Sequence, residues 1–345
     1  MQYRSEIDGL RALAIIPVVF FHGGFSLVSG GFVGVDIFFV ISGYLITLLI
    51  YKDISKGTFS AKRFYERRIK RLFPALSFVA LCCSIAAWFL YLPFDLEDYY
   101  ANLASVFNFS SNIHFYIHSG YFDPSSEHNA LLHTWSLTVE EQFYFVFPWI
   151  LLLAFKLGRK AVWVSICSLI VISFCLAEWR LQVKPMAAFY LLYARGWELL
   201  LGSFCALLVS DTRLLANMSN RKKELLAWIG LTMILYATFF FTDSTPTAGR
   251  YTLIPTIGTA LILLFARTNG YLGKVLSHRF LVSIGLVSYS TYLWHQPLLA
   301  FSRYYMGESF DLLAAAVLCA LSFVLGYASW KFIEQPFRHG SFGWN

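Results

Sequence analysis

Long apolar runs broken by short polar turns dominate the chain, at positions 7–26, 33–51, 74–93, 138–155, 161–178, 189–209, 225–242, 251–266, 280–302 and 312–332. A bilayer demands roughly 17–25 predominantly apolar residues of a spanning helix, and most of these runs meet that length. A transmembrane barrel would instead show short alternating segments. The pattern predicts an all-α polytopic membrane protein of about ten transmembrane helices. It shows no internal repeat and no separate hydrophilic portion, so residues 1–345 read as a single membrane domain.

Charge orients these helices. Eight Lys and Arg residues lie between Lys52 and Arg71, and such a loop belongs in the cytoplasm. Met1 is then cytoplasmic, and the turn at 27–32 is outside. Residues 97–117 resemble a weak eleventh span. Were they to cross, residues 118–137 would be cytoplasmic, yet these contain no Lys or Arg. Without that crossing, Lys156, Arg159, Lys160, Arg213, Arg221, Lys222, Lys223, Arg267, Lys274 and Arg279 all face inward. Arg180 and Lys184 are the minor exception. Ten spans with both termini cytoplasmic follow, with one long external or re-entrant segment near 94–137.

Composition sharpens this reading: 58% of the residues are hydrophobic and 14% charged, against about a quarter charged in soluble domains. The net charge of +7 belongs to the cytoplasmic loops and is no sign of nucleic-acid binding. All six cysteines fall inside apolar runs without metal or disulfide spacing, and read as small core residues. The first apolar run lacks a signal-peptide cleavage site.

The orientation assigns depths to the ionisable residues, which sort into two layers. Near the inner face are Asp8 and Arg11, with Arg68 and Arg71 before the third span. Arg68 and Arg71, three apart, are neighbours on one helical face and suit a phosphate, although basic residues also anchor spans at headgroups. Toward the outer half lie His22, Asp36, Glu140, Glu141, Arg195, Glu198 and His295. Arg11 and His22 share a helical face about 16 Å apart along the axis. His22 with a carboxylate at its own depth forms a general-base candidate. Arg195 and Glu198 also read as a structural ion pair. None of His114, His118, His128 and His133 has HxxxH spacing against a carboxylate within one helix, and no metal is expected. Outer aromatics such as Tyr99, Tyr100, Tyr121 and Trp135 suit either interface anchoring or sugar stacking.

The chain resembles the acyltransferase-3 family of membrane O-acyltransferases, and among them bacterial O-antigen and cell-envelope acetyltransferases. The resemblance rests on YRSEIDGLRALA with the R-x10-H pair Arg11 and His22, GGFVGVDIFFVISGYLI, RRIKRLFPA, HTWSLTVEEQFYFVFP, RGWELLLG, SYSTYLWHQP and FIEQPFR, in family order from Tyr3 to Arg338. It implies transfer of an acyl group, usually acetyl from cytoplasmic acetyl-CoA, to a hydroxyl of an extracytoplasmic glycan such as lipopolysaccharide O-antigen, in the bacterial inner membrane. By that analogy Arg11, Arg68 and Arg71 hold the donor, His22 is catalytic and Glu140 assists it. Asp36, Glu141, His133, Trp135, Arg195, Glu198 and His295 are candidate substrate contacts. Direct transfer and relay through an acyl carrier such as Tyr121 both stay open. The nearest subgroup carries a C-terminal SGNH-type domain. The chain ends at Asn345 before any such domain, so it is expected to be either a stand-alone member or one from which the C-terminal SGNH portion was removed. Partners expected are acetyl-CoA, a glycan or lipid-linked saccharide, and membrane lipids. A proton-coupled transporter or flippase using His22, Glu140 and Arg195 is the alternative, against which stands the lack of an inverted repeat.

Overall fold

Each of the ten apolar runs lies largely within helix in the computed structural model, which describes residues 3–118, 128–211, 218–338 and 340. In chain order the helices are α1 (Ser5–His22), α2 (Gly34–Ser55), α3 (Ala61–Leu90), α4 (Pro93–Phe107), α5 (Ser111–His118), α6 (Thr134–Lys156), α7 (Arg159–Val183), α8 (Pro185–Tyr190), α9 (Leu192–Ser210), α10 (Asn220–Phe240), α11 (Leu253–Phe265), α12 (Tyr271–Leu276), α13 (Arg279–Met306) and α14 (Leu312–Ser329). The last continues through a π turn, Trp330–Glu334, into Gln335–Arg338. The described residues contain no strand.

Seven helical stretches among the described residues are long and apolar enough to cross a membrane: Gly31–Ser55, Ala61–Leu90, Thr134–Lys156, Arg159–Val183, Pro185–Ser210, Asn220–Phe240 and Leu312–Arg338. The three other apolar runs miss that standard for physical reasons. Helix α11 has 13 residues, α1 carries Glu6, Asp8 and Arg11, and α13 is diluted by Ser, Tyr, His and Gln. Of these three, α1 and α13 bear candidate residues and α11 bears none, while Arg68, Arg71, Glu140 and Arg195 sit on helices that do meet the standard. Large apolar side chains such as Phe89 on α3, Val164 on α7 and Val324 on α14 stand exposed, as lipid-facing surfaces do and soluble ones rarely do.

Residues 97–117 are not one rod. Pro93 opens α4, which stops at Asn108, and Phe109 takes a left-handed φ of 52° before α5 begins. Polar bonds fasten α5 inward: Ser111 and Thr138 hydroxyls lie 2.6 Å apart, and Asn112 Nδ2 donates to the Tyr190 carbonyl at 3.1 Å.

Close helix crossings frame the centre. Helices α1 and α13 run in parallel and meet where Gly285 faces the Asp8 carbonyl, so tightly that a Cβ there would lie 1.8 Å from that oxygen. Helices α2 and α9 meet in the same way at Gly43, whose Cβ would lie 1.8 Å from the Leu199 carbonyl. Small residues at membrane-helix contacts permit such approach and gain dispersion energy from it. A hydrogen bond of 2.7 Å from Thr47 to Ser203 reinforces the second crossing.

Several boundaries differ from the sequence reading. Helix α6 starts at Thr134 rather than 138, α3 extends back to Ala61, and α1 ends at His22 rather than 26. The cysteines also divide: Cys83, Cys205 and Cys319 are buried, but Cys167 and Cys175 are exposed on α7, so these two are not core residues.

Candidate active site

One cavity collects the basic residues. Arg11 comes from α1, Arg68 and Arg71 from adjacent turns of α3, Glu140, Glu141 and Tyr144 from α6, Ser42 from α2, and Tyr289 and Tyr292 from α13. The Glu140 carboxylate accepts hydrogen bonds from Ser42 Oγ and from the Tyr144 hydroxyl, both at 2.9 Å. The Arg68 guanidinium lies 4.7 Å from the Tyr144 ring centre, a cation–π contact. Arg11 pairs with Asp8 at 3.3 Å, and the second Asp8 oxygen accepts from Tyr3 at 2.6 Å. Burial and that hydrogen bond push the Tyr3 hydroxyl up to about 12, so it remains a donor at neutral pH.

Among the described residues Arg68 and Arg71 have no carboxylate within ion-pair distance, and Arg71 Nε is buried without a hydrogen bond. Three guanidiniums around one cavity, two of them lacking a direct counter-ion, form an electrostatic trap for an anion. Phosphate oxygens match the guanidinium fork.

Glu334 was not singled out in the sequence, although FIEQPFR places one acid at the end of an apolar run. The π turn turns it inward, where it is buried and accepts from Ser290 Oγ at 3.1 Å. It is within electrostatic reach of Arg11, Arg71 and Arg338. Single π turns recur at functional sites because they redirect one side chain without ending the helix.

Beyond the cavity stands a histidine cluster. His22 is the last residue of α1, and its Nδ1 donates to the Val18 carbonyl at 2.9 Å, which leaves the lone pair on Nε2. The His22 ring centre is 5.1 Å from that of His295, which in turn is 5.5 Å from that of His133. Arg303 donates to the His22 carbonyl and fixes the end of α1. His22 does not line the cavity with Arg11; Tyr292 stands between. The Tyr292 ring packs against His295 and His133, at 5.0 and 5.3 Å, and its hydroxyl donates to the His133 carbonyl and meets Ser136 Oγ.

This placement corrects the expected pairing of His22 with Glu140. Because α6 begins at Thr134, Glu140 lies seven residues, about 10 Å of helix, from His133. The contacts of Glu140 tie it and Glu141 to the arginine cavity, while the His22 ring lies beside His295. The imidazole beside His22 is another imidazole.

Asp36, Trp135, Arg195 and Glu198 lie outside the arginine cavity, as do His22, His133 and His295. Arg195 pairs with Asp36 and, through Nη1 at 2.7 Å, with Glu198. All three are buried, and the guanidinium lies 5.3, 5.8 and 5.9 Å from the ring centres of Phe39, Trp135 and Phe189. They form a closed ion triad in an aromatic box, so the structural reading of Arg195 and Glu198 replaces substrate contact. His114 and His118 stack at 4.4 Å on α5, and burial together with His118 lowers the basicity of His114. Tyr121 lies outside the described residues.

The family model described as "Acyltransferase domain" matches residues 4–331. The peptidoglycan O-acetyltransferase OatA of Listeria monocytogenes is 33% identical over 356 residues, covering 99% of this chain and 57% of that protein. YrhL of Bacillus subtilis, provisionally named a peptidoglycan O-acetyltransferase, is 32% identical over 365 residues, covering 99% of this chain and 56% of its own length. The chain thus spans under three-fifths of the curated relatives it matches. No solved structure matches.

Proposed function

The chain belongs to this acyltransferase family, and on that premise we propose that it is a membrane O-acetyltransferase moving an acetyl group from cytoplasmic acetyl-CoA to a hydroxyl of an extracytoplasmic envelope glycan. Peptidoglycan replaces lipopolysaccharide O-antigen as the proposed acceptor, because the named relatives are peptidoglycan O-acetyltransferases. Family membership favours this reading over the transporter alternative.

One observation carries the reading: a cavity ringed by Arg11, Arg68 and Arg71 abuts, across Tyr292, the histidine cluster around His22. In the proposed reaction the arginines hold the donor's phosphates. The acceptor oxygen attacks the thioester carbonyl, and its proton passes to His22 Nε2. Collapse of the tetrahedral adduct breaks the C–S bond, and the departing CoA thiolate takes up that proton. His22 is suited to the base role because its Nδ1–H is committed to Val18. Glu140 and Glu141 act at the donor end, where Glu140 orients Tyr144 beneath Arg68. His133 and His295 are on the acceptor side. None of these steps calls on a metal. The proposed topology keeps ten spans in the bacterial inner membrane with both termini cytoplasmic, which puts Arg11 at the inner mouth and His22 toward the outside. An SGNH-type domain, on the same or another chain, is the proposed partner for onward transfer.

The test is His22→Ala in purified protein with acetyl-CoA and a glycan acceptor, assayed by free thiol release and acetylated product. Loss of product at normal protein level is expected. Product at the wild-type rate refutes the mechanism.

A further inference from the structure

The side chains around His22 leave several polar atoms without partners. His133, His295 and Gln296 are 3, 0 and 2% exposed. Yet neither ring nitrogen of His133 forms a hydrogen bond of good geometry, its approach to the Ala130 backbone being a weak one, and neither His295 Nε2 nor Gln296 Oε1 forms any. Protein interiors leave few such atoms, and a group of them in one place calls for a hydrogen-bonding partner from outside the protein, either water or a ligand.

They do lie in one place. The His133 and His295 ring centres are 5.5 Å apart. Gln296 follows His295 on α13, and its Nε2 donates to the Asn129 carbonyl at 3.2 Å, four residues before His133. The hydrogen-bonding character of each atom is also fixed. His295 Nδ1 donates to the Tyr292 carbonyl at 2.6 Å, so Nε2 can only accept. Gln296 has committed its amide nitrogen to Asn129, so Oε1 can only accept. A neutral His133 ring offers one donor and one acceptor. Two fixed acceptors beside a ring that does both match a hydroxyl, which donates one hydrogen bond and accepts others. The cation at this end of α1, Arg303, is already engaged with the His22 carbonyl and disfavours a positively charged guest.

We propose that His133, His295 and Gln296 form the acceptor subsite, binding a neutral, hydroxyl-bearing sugar and presenting one hydroxyl to His22. The assignment of that guest as acceptor rests on the transferase reading; the binding of a neutral saccharide does not. Gln296 carries the sharpest part of the inference, because it does not line the donor cavity and its one hydrogen bond is to the Asn129 carbonyl. It is a positioning residue for the acceptor. A site that hydrogen-bonds a substrate hydroxyl suffers most when one of its own partners is removed.

The experiment uses the full chain in detergent, with Gln296→Leu and Gln296→Met as variants of similar length and thermal melting as a folding check. The probe is the disaccharide of N-acetylglucosamine and N-acetylmuramic acid. Saturation-transfer NMR measures its binding directly, and steady-state kinetics separates the KM for disaccharide from that for acetyl-CoA. Expected are a tenfold or greater rise in disaccharide KM, an unchanged acetyl-CoA KM, and loss of the saturation-transfer signal in whichever variant melts like wild type. Unchanged binding in such a variant overturns the subsite, as does an equal rise in both KM values. Absence of disaccharide binding to wild type overturns it too and leaves water as the guest. Binding by wild type that Gln296→Leu or Gln296→Met abolishes, without acetyl transfer by either protein, upholds the subsite and refutes the transferase reading instead.

Discussion

Arg195 holds two carboxylates at once, and Arg195→Met is the single change expected to damage the fold most. The guanidinium is 1% exposed, with Asp36 at 3% and Glu198 at 0%. Removing one partner of a buried ion pair costs about 3–5 kcal/mol, because it strands the other charge away from water. Here one substitution strands two charges 159 and 3 positions away. One carboxylate can relax by taking up a proton; the other then shares it. A loss of about 3–5 kcal/mol is therefore expected, against a total of about 5–15 kcal/mol for a typical fold. Arg195→Lys is expected to recover little of this, since a single ammonium lacks the fork that serves two acceptors. The triple variant Asp36→Asn, Arg195→Met, Glu198→Gln removes every charge and should recover most of it. Heating detergent-solubilised protein and following the monodisperse peak by fluorescence-detected size exclusion reads all four proteins side by side. If Arg195→Met melts like wild type but fails to transfer acetyl, the triad is not structural and Arg195 touches substrate.

At the donor end, Arg68→Ala and Arg71→Ala should each raise the acetyl-CoA KM by roughly ten- to a hundredfold, as loss of a charge-assisted contact worth about 1.5–3 kcal/mol implies, with less effect on the acceptor KM. Glu334→Gln has the opposite sign: it removes an anion facing Arg11 and Arg71, so CoA inhibition should strengthen several-fold, measured as a lower inhibition constant; weaker inhibition would assign Glu334 a supporting role instead. Gly285→Ala forces α13 away from the Asp8 carbonyl, and overpacking of that kind typically costs about 1–3 kcal/mol, read as a lower melting temperature.

The apolar runs made the helices legible, since a bilayer leaves the backbone almost no other choice. The clustering of Arg11, Arg68 and Arg71 was legible as well, through helical spacing and the charge of the flanking loops. Depth along α6 was not. Four residues of error in its start, at Thr134 rather than 138, were enough to put Glu140 beside His22 when the helix carries His133 there. Hydropathy blurs that boundary, because His133, Thr134 and Ser136 look like loop until their partners are known. Nor could spacing find the Asp36–Arg195 pair, which joins two helices far apart in sequence, or Glu334, which a π turn brings within electrostatic reach of Arg11 and Arg71. The Arg195–Glu198 pair reads two ways from sequence because burial alone separates a closed ion cluster from an open one.

Tyr292 carries a consequence for the cell's energy supply. A continuous wet path from Arg11 to His22 would let protons run down their gradient through every copy of the protein. A buried aromatic ring, pinned at its hydroxyl by Ser136 and the His133 carbonyl, interrupts that path. On the proposed reading the arrangement would act as an airlock, with chemistry handed across the ring while the membrane stays electrically sealed.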